Sequence, residues 1–438
     1  MPARASDKSA IGGFPLSLTR IRVFTGLALL AALSCWSARA QNAHDHDYYW
    51  NHERNMHIRH VFVIALENHN WTQPNNNIGQ DPGIQQIYQN PNAPFINSLV
   101  DGTAKAWING RLVDISKQVS YATAYHNVLA GDDPNGPHIH PSEPQYLWSE
   151  AGTNFGILND DDPYPSNVQN TTQHLSALIE KAGKTWKSYQ EDIDLTKLGN
   201  GNLVNIPLPR SQWTVPLASL NGHFDTSSPL NEYSDTLQYN YAAKHNPMVF
   251  FTDTNGNGDA TTANPMRFHY APLQQLASDL ANNTVANYNW ITPDQYNEMH
   301  SGLSTPFDGL TGDASHIRAG DNDVSRLVPM IMASQAYRDG GAIILWWDET
   351  ESDGEPGDNR DDFNHTIGEI VISPLAHANV GGMPYASAVD YSHSSDLRTM
   401  QEIFHVRATG GGSPYLGDAK NANDLSDLFK PGVIPTQP

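Results

Sequence analysis

Cysteine is almost missing from this 438-residue chain, which contains only Cys35. That residue falls in an N-terminal segment that we interpret below as a secretion signal. The rest of the chain can therefore form no internal disulfide, no zinc–thiolate site and no cysteine nucleophile. Disulfide-stapled scaffolds and enzymes that act through a thiol are excluded.

Basic residues are also few. The chain has 25 Lys and Arg against 47 Asp and Glu, which gives a formal net charge of −22 at pH 7. This charge repels nucleic acid and anionic membrane surfaces at long range, so we expect no nucleic-acid partner. A small anionic substrate would need a local cation, and a bound divalent metal ion would supply one.

Long apolar runs are absent beyond the first forty residues. Within those forty, Arg20 and Arg22 precede the apolar run Val23–Leu33, and Ala38–Ala40 supplies a small-x-small cleavage site. The run is shorter than the about 18 residues that span a membrane, so the segment is predicted to be a secretion signal. We expect an exported protein, periplasmic or secreted, without an integral membrane segment. An uncleaved anchor and a lipid-modified Cys35 are the alternatives.

With residues 1–40 assigned to the signal, residues 41–438 show short β-branched or aromatic runs that alternate with helical stretches. This pattern predicts one α/β domain with loop insertions, built on a doubly wound, mainly parallel sheet with helices on both faces. The predicted strands are His60–Leu66, Thr185–Tyr189, Met248–Thr252, Tyr288–Thr292, Ala342–Trp347 and Gly368–Ser373. The predicted helices are Gln173–Ala182, Leu273–Leu280, Val324–Tyr337 and Ser394–Phe404. Long loops over the carboxyl end of the sheet are predicted for Trp71–Asn92, Asp132–Pro165 and Gly199–Glu232.

Polar residues follow two of these strands directly. Glu67 and Asn68 come after the first strand, and Asp348 and Glu349 come after the strand that ends at Trp347. Ligands bind at the carboxyl ends of strands in open parallel sheets, so both pairs are candidates for one site. Clustered oxygen ligands suit Mg²⁺, Ca²⁺ or Mn²⁺, and an added imidazole would also allow zinc or iron. The alternative is that both are ordinary strand-to-loop exits.

Ser142 lies between two prolines, Pro141 and Pro144. We expect a rigid turn that presents the hydroxyl group, and coordination to a metal can make a serine hydroxyl nucleophilic without a histidine base. A proline-rich loop without function is the alternative. The chain has no Gly-x-Ser-x-Gly motif, which argues against a serine esterase with a nucleophile elbow.

Together these segments resemble the bacterial phosphoesterase family that contains acid phosphatases and phospholipases C, a branch of the alkaline phosphatase superfamily. The family pattern is matched in order by Leu66-Glu67-Asn68, His140 to Tyr146, and Trp347-Asp348-Glu349. Further matches are Gly183 to Tyr189, Lys244 to Pro247, Ile291 to Asp294, Asn297 to His300, Val371 to Pro374, Tyr391 to Ser394 and Leu397 to Phe404. Gln145 and Glu298 depart from the residues that relatives often have.

The resemblance implies an alkaline phosphatase-like fold and roles for particular residues. One divalent metal (Mg, Ca, Mn, Zn or Fe) would be held by Glu67, Asn68, Ser142, Asp348 and Glu349. Ser142 would be the nucleophile, and the histidines facing the phosphate would be His300, His365 and His393. Substrate contacts would come from Asn68, His140 and Tyr146. His393 has an alternative role as a cap of the following helix, and His140 as a residue that only shapes the turn before Pro141.

These features predict an exported, metal-dependent hydrolase of phosphoric esters. A phosphomonoesterase of the acid phosphatase type, acting on a small phosphate ester through a phosphoserine intermediate, is favoured. A phospholipase C-type phosphodiesterase and a non-catalytic metal-binding exported protein are the alternatives. Separately, Asp253–Asp259 resembles the start of a calcium loop, but position twelve is Asn264, so an Asn-Gly-rich turn is the competing interpretation.

Overall fold

The computed structural model describes residues 57–79, 83–128, 138–220, 240–300, 307–353, 364–379, 381–410 and 412–438. The predicted secretion signal, residues 1–40, lies outside these ranges. In chain order the strands are β1 (His60–Leu66), β2 (Asn70–Thr72), β3 (Lys105–Ile108), β4 (Arg111–Asp114), β5 (Val119–Ala122), β6 (Tyr125–His126), β7 (Trp186–Gln190), β8 (Leu195–Lys197), β9 (Leu203–Pro207), β10 (Tyr270–Pro272), β11 (Tyr288–Thr292), β12 (Gly341–Trp347), β13 (Thr366–Ile367), β14 (Glu369–Ile372), β15 (Tyr385–Ser387) and β16 (Tyr391–Ser392). The helices are α1 (Pro94–Asp101), α2 (Ser142–Ala151), α3 (Leu175–Lys181), α4 (Thr252–Asn255), α5 (Gln275–Asn282), α6 (Gly312–Met332), α7 (Gln335–Arg338) and α8 (His393–Phe404).

Eight strands form the main sheet in the order β10-β7-β11-β1-β12-β14-β5-β15. The five strands β10, β7, β11, β1 and β12 run parallel to one another. Strand β14 is antiparallel to both β12 and β5, and β15 is parallel to β5. The central strands β1 and β12 are almost wholly buried and apolar, as expected for strands covered on both faces. The prediction of an α/β fold on a mainly parallel sheet is confirmed, and β14 makes the sheet mixed.

The helices form two groups that each pack within themselves. One contains α2, α3, α4 and α8, and the other contains α1, α5, α6 and α7. Helix α8 begins with a capping box made by Ser392 and Ser395, and it buries Leu397, Met400 and Phe404 at three- and four-residue spacing. Among the described residues, no helix has both the length and the apolar character that a membrane crossing requires.

The predicted strand Met248–Thr252 is wrong. This segment instead contains a 3₁₀ helix at Pro247–Phe250, followed by α4. Its apolar residues are fully buried. A short apolar run that is buried on all sides lacks the periodicity that separates a strand from a helix.

Two predicted loops contain regular structure. Asp132–Pro165 includes α2, and Gly199–Glu232 includes β9. Parts of both, residues 132–137 and 221–232, lie outside the described residues. Trp71–Asn92 contains the end of β2 and otherwise turns and bends where it is described. Helix α2, which was not predicted, bears directly on the candidate site, because Ser142 is its first residue.

The segment that resembles a calcium loop forms a turn closed by side-chain amides. Asn264 donates from Nδ2 to the carbonyl oxygens of Asn255 (2.9 Å) and Asp259 (2.6 Å). Asp253 Oδ1 lies 2.9 Å from His174 Nε2. Because the carboxylate of Asp253 pairs with a histidine and the amides close the loop, the structure favours the Asn-Gly-rich turn.

Candidate active site

The exits of β1 and β12 lie side by side, with Leu66 in register with Trp347. The backbone N–H of Asp348 donates to the Leu66 carbonyl (3.2 Å), and the backbone N–H of Asn68 donates to Asp348 Oδ1 (3.1 Å). Asn68 has φ 40°, a left-handed conformation that asparagine tolerates better than most residues. The two polar pairs predicted from the strand ends therefore meet at one edge of the sheet.

Ser142 lies between the carboxylates of these two exits. Its Oγ is 3.1 Å from Glu67 Oε2 and 3.0 Å from Glu349 Oε1. The residue is buried and begins α2, so the expected rigid turn is instead the start of a helix. Pro144 is accepted in the first helical turn, where backbone N–H groups have no partner within the helix. The hydroxyl group thus lies at a helix N-terminus, which favours an anion such as phosphate.

Three further side chains lie around the Glu67 carboxylate. Tyr146 donates its hydroxyl to Oε1 (2.6 Å), His245 Nε2 lies 3.2 Å from the same oxygen, and His300 Nδ1 lies 3.3 Å from Oε2. Tyr146 also stacks on the His245 ring, with centroids 4.9 Å apart. Tyr146 is fully buried and its hydroxyl contacts Glu67, so the geometry suits a residue that positions Glu67, and its role as a substrate contact remains a prediction.

His300 and His140 lie at the open side of the cluster. Their side chains are 32% and 37% exposed, whereas those of Glu67 and Glu349 are almost completely buried. His140 Nδ1 lies 2.5 Å from Glu349 Oε2, and His300 Nε2 lies 3.2 Å from Asn68 Nδ2. Both imidazoles can therefore meet a ligand that arrives from solvent.

His393 lies behind the cluster and not on its rim. It is fully buried, its Nε2 lies 2.5 Å from the carbonyl oxygen of Asp348, and its Nδ1 lies 2.9 Å from the hydroxyl of Tyr125. Burial lowers the pKa of His393 to about 3, so the ring is neutral. The prediction that His393 faces the phosphate is corrected, and so is its alternative role, because Ser392 caps α8.

His365 is also fully buried. Its Nε2 lies 3.6 Å from Asp353 Oδ1, and its carbonyl oxygen accepts a hydrogen bond from His126 Nδ1 (3.2 Å). These contacts place it among the loops beside the cluster. Its catalytic role remains a prediction.

The carboxylates of the cluster are buried close together. Burial raises the pKa of Glu67 and of Glu349 to about 7, and burial together with the charge of Glu67 raises the pKa of Asp348 further. Such shifts show that the ionised carboxylates lack enough positive charge around them. Lys244 partly compensates by lowering the pKa of Glu67, although its Nζ pairs with Asp160 at 2.7 Å.

Two buried oxygens test whether a metal ion fits here. Asn68 Oδ1 and Asp348 Oδ2 have no hydrogen-bond partner among the described residues. Buried polar atoms are nearly always paired, so these oxygens need a further group. Together with the carboxylates of Glu67 and Glu349 and the hydroxyl of Ser142, they form the all-oxygen set that a hard divalent cation prefers. The residues therefore fit the predicted metal.

Sequence reasoning missed His245 and gave Glu298 no role. His245 Nδ1 lies 2.9 Å from Glu298 Oε2, which makes a continuous chain from Glu298 through His245 to Glu67. Glu67, Glu298 and His300 also offer ligand atoms within 4.8 Å of one another. The signal was present, because His245 and Glu298 lie in the matched segments Lys244 to Pro247 and Asn297 to His300.

The chain matches the model of the phosphoesterase family over residues 116–407, and it belongs to that family. A probable acid phosphatase of Kluyveromyces lactis is 26% identical over 293 residues, covering 66% of this chain and 55% of the relative. A phosphate-repressible acid phosphatase of Penicillium chrysogenum is 23% identical over 218 residues, covering 50% of this chain and 40% of the relative. The chain thus spans about half the length, or less, of these curated relatives.

Among solved structures, a protein of the alkaline phosphatase superfamily from Vibrio parahaemolyticus is similar to this chain. The identity is 10%, the TM-score is 0.41, and the match covers 85% of this chain and 72% of the other. At this level of similarity we transfer nothing about the site.

Proposed function

We propose that this protein hydrolyses phosphoric esters and that Ser142 is its nucleophile. The observation that carries the proposal is the position of the Ser142 hydroxyl, which begins α2 and lies within hydrogen-bond distance of Glu67 and Glu349. Membership of the phosphoesterase family supports the reaction class. We favour phosphomonoesters, because the curated relatives carry acid phosphatase names.

A divalent metal ion would be held by Glu67, Asn68, Ser142, Asp348 and Glu349. When bound, it would lower the pKa of the serine hydroxyl and neutralise charge on the phosphoryl oxygens. The orientation of Asn68 agrees with this role, because its Nδ2 faces His300 and its Oδ1 is left for the ion.

The chain's own residues would act as follows. Ser142 loses its proton to Glu67 or Glu349 and attacks phosphorus in line, which forms the Oγ–P bond and breaks the ester P–O bond. The departing alkoxide takes a proton from an imidazole at the open side, His300 or His140, and leaves as the alcohol. Water then attacks phosphorus and breaks the Oγ–P bond, so that its hydroxide leaves as part of phosphate and its proton goes to Ser142 Oγ. The carboxylic acid formed in the first step returns its proton to the imidazole through solvent. Throughout, the N-terminus of α2 favours the anionic phosphoryl group.

Phospholipase C activity is the second candidate, and one observation favours it. The β3–β4 hairpin pairs Trp107 with Leu112, and these side chains are 72% and 56% exposed. Exposed apolar side chains of this size mark a binding surface, and a lipid interface is one such surface. Export to the periplasm or beyond remains our proposal, based on residues 1–40.

The test is a hydrolysis screen with p-nitrophenyl phosphate, bis(p-nitrophenyl) phosphate and a choline phospholipid, each with and without chelator. We expect the monoester to be hydrolysed fastest and the chelator to abolish turnover. Preference for the phospholipid would establish the second candidate. No turnover of any phosphate ester after reloading with each candidate metal would contradict the hydrolase and support a binding protein.

A further inference from the structure

A second group of buried acidic side chains lies at the carboxyl ends of β7 and β11. Glu191 and Asp192 follow β7, and Asp294 follows β11 by two residues. The strands are parallel neighbours, and the N–H of Glu191 donates to the Thr292 carbonyl (3.0 Å). The three carboxylates are fully or almost fully buried and offer ligand oxygens within 4.8 Å of one another.

Each carboxylate is fixed by donors on one side. Asp192 Oδ2 accepts the backbone N–H of Asn240 (2.8 Å), and Asp294 Oδ1 accepts the backbone N–H of Asn297 (2.8 Å). Glu191 Oε2 accepts the backbone N–H of Asp294 (2.7 Å). The opposite oxygens, Asp192 Oδ1 and Asp294 Oδ2, have no hydrogen-bond partner in the described part of the chain. The arrangement resembles ligands oriented by their surroundings toward a shared point.

Two more buried side chains complete this group. Asn297 points at Glu191, donating from Nδ2 to both of its carboxylate oxygens at 3.0 Å, and its Oδ1 has no partner within the described ranges. Asp323, from α6, is fully buried, and neither of its carboxylate oxygens has a hydrogen-bond partner among the described residues. Buried amide and carboxylate oxygens without partners are costly, so this group requires a shared proton or a bound cation.

The close pair of Asp192 and Asp294 gives an electrostatic reason to expect a proton or a cation between them. Burial, followed by the charge of Glu191, raises the pKa of both carboxyls well above the ordinary range. Two carboxylates this close repel each other unless a proton or a cation lies between them. Burial and then the charge of Glu191 raise the pKa of Asp323 well above its ordinary range, and Arg326 offsets only part of this shift.

We propose that Glu191, Asp192, Asp294 and Asn297, with Asp323 beside them, form a second cation site that binds a hard divalent ion, with Ca²⁺ as the preferred occupant. All donors are oxygens, and none is a thiolate or an imidazole. The ligand oxygens of Glu191, Asp192 and Asp294 lie within 4.8 Å of one another, and two ligands of one Ca²⁺ ion can be at most about 5.2 Å apart, since each Ca–O distance is about 2.3–2.6 Å. The ion would tie β7, β11 and α6 together. This proposal does not depend on the reaction assigned to Ser142.

The site can be separated from the first one by mutation. The chain carrying Glu67→Gln and Asp348→Asn lacks two ligands of the first site, and it is dialysed free of metal and titrated with CaCl₂ and, separately, MgCl₂. We expect one equivalent of Ca²⁺ per chain and a rise in melting temperature that saturates, because ligands that bind only the folded state stabilise it. Mg²⁺ should bind at least about tenfold more weakly, because it demands a near-ideal octahedron.

Adding Asp192→Asn and Asp294→Asn to this background should reduce bound Ca²⁺ at least about tenfold and remove the rise in melting temperature. Asp279→Asn is the matched control, since Asp279 is a buried aspartate that pairs with Lys187 elsewhere (2.8 Å), and it should leave Ca²⁺ binding intact. If the Glu67→Gln, Asp348→Asn chain binds neither ion, the proposal is overturned without the added substitutions having to fold. Unchanged Ca²⁺ binding after those substitutions would also overturn it.

Discussion

The hydroxyl oxygen of Ser142 lies 3.0 Å from Oε1 of Glu349, although 207 positions separate the two residues in sequence. The same oxygen is 3.1 Å from Glu67 Oε2. A hydroxyl group has one hydrogen, so Ser142 can donate to only one of the two carboxylates at a time. Two carboxylates therefore compete as acceptors of the serine proton, and a serine nucleophile needs such an acceptor.

Replacing Ser142 with Ala should reduce phosphate ester hydrolysis at least about a hundredfold and leave the fold intact, because only one hydroxyl is removed. Steady-state kinetics and the melting temperature measure both effects. Ser149→Ala is the control: Ser149 lies in the same helix, is buried, and donates to the Tyr146 carbonyl at 2.7 Å. A Ser142→Ala chain that retains more than about a hundredth of wild-type kcat/KM would remove Ser142 from the role of nucleophile.

Tyr146→Phe should weaken metal binding about 10- to 100-fold, because it removes the hydroxyl that donates to Glu67 and residues that orient ligands have effects of this size. Titration should show a weaker metal affinity than in the wild type. The kcat measured at saturating metal should recover, because a high metal concentration refills the site. The control is Tyr189→Phe, a buried tyrosine whose hydroxyl donates to Asp279. If Tyr146→Phe loses activity with unchanged metal affinity, the tyrosine acts on the substrate after all.

The strand exits could be predicted from sequence because parallel strands bring their carboxyl ends to one edge, so Glu67 and Asp348 meet without any knowledge of the loops. The surroundings of Ser142 could not. Whether it lies in a loop or begins a helix depends on how the following residues pack, and Pro144 is compatible with both. His393 and Tyr146 were assigned to the substrate because a motif specifies which residues recur and not which way they face.

The second acidic group shows a different limit. Asp294 lay in a matched segment, and Glu191 and Asp192 followed a predicted strand, but only the pairing of β7 with β11 brings them together. Asp323 comes from a helix whose first half was not predicted. Strand order is a property of the whole sheet, and local pattern does not determine it.

The contacts of the His174 imidazole with two carboxylates predict that the stability of the protein depends on pH. Burial lowers its pKa, but hydrogen bonds to Asp253 and Glu150 raise it more, so the net shift is upward from 6.5. The distances are 2.9 Å from Nε2 to Asp253 and 3.0 Å from Nδ1 to Glu150. A raised folded-state pKa means that the stabilisation is fully present below about pH 6.5 and is lost as pH rises through the folded-state value.

His174→Gln should therefore lower the free energy of unfolding most at pH 6 and progressively less toward pH 9. Urea unfolding at intervals between these pH values measures the difference. His377→Gln is the control, because His377 Nδ1 contacts the backbone carbonyl of Asp427 (2.8 Å). Curves for wild type and His174→Gln that stay parallel across this range would show that the imidazole does not gain protons on folding.

Gly320 predicts a link between α6 and the site, because a side chain here has no room. A Cβ added at Gly320 would lie 2.2 Å from Met299 Cγ and 3.0 Å from the backbone oxygen of Asn297. Met299 has φ 90°, a conformation that is rare for residues with a side chain, so this segment adjusts poorly. Helix propensity alone favours alanine over glycine by about 1 kcal/mol, whereas overpacking costs about 1–3 kcal/mol. Since Cγ is near the backbone and the second contact is a backbone atom, we expect the steric cost to exceed the gain in helix propensity.

Gly320→Ala should lower the free energy of unfolding by about 1–2 kcal/mol and also reduce kcat/KM, because the displaced segment continues into His300. Urea unfolding and steady-state kinetics measure the two effects, with Ser325→Ala on the same helix as a control expected to change stability by less than about 0.5 kcal/mol. A Gly320→Ala chain more stable than wild type would mean that Met299 moves aside freely and that α6 does not constrain the site.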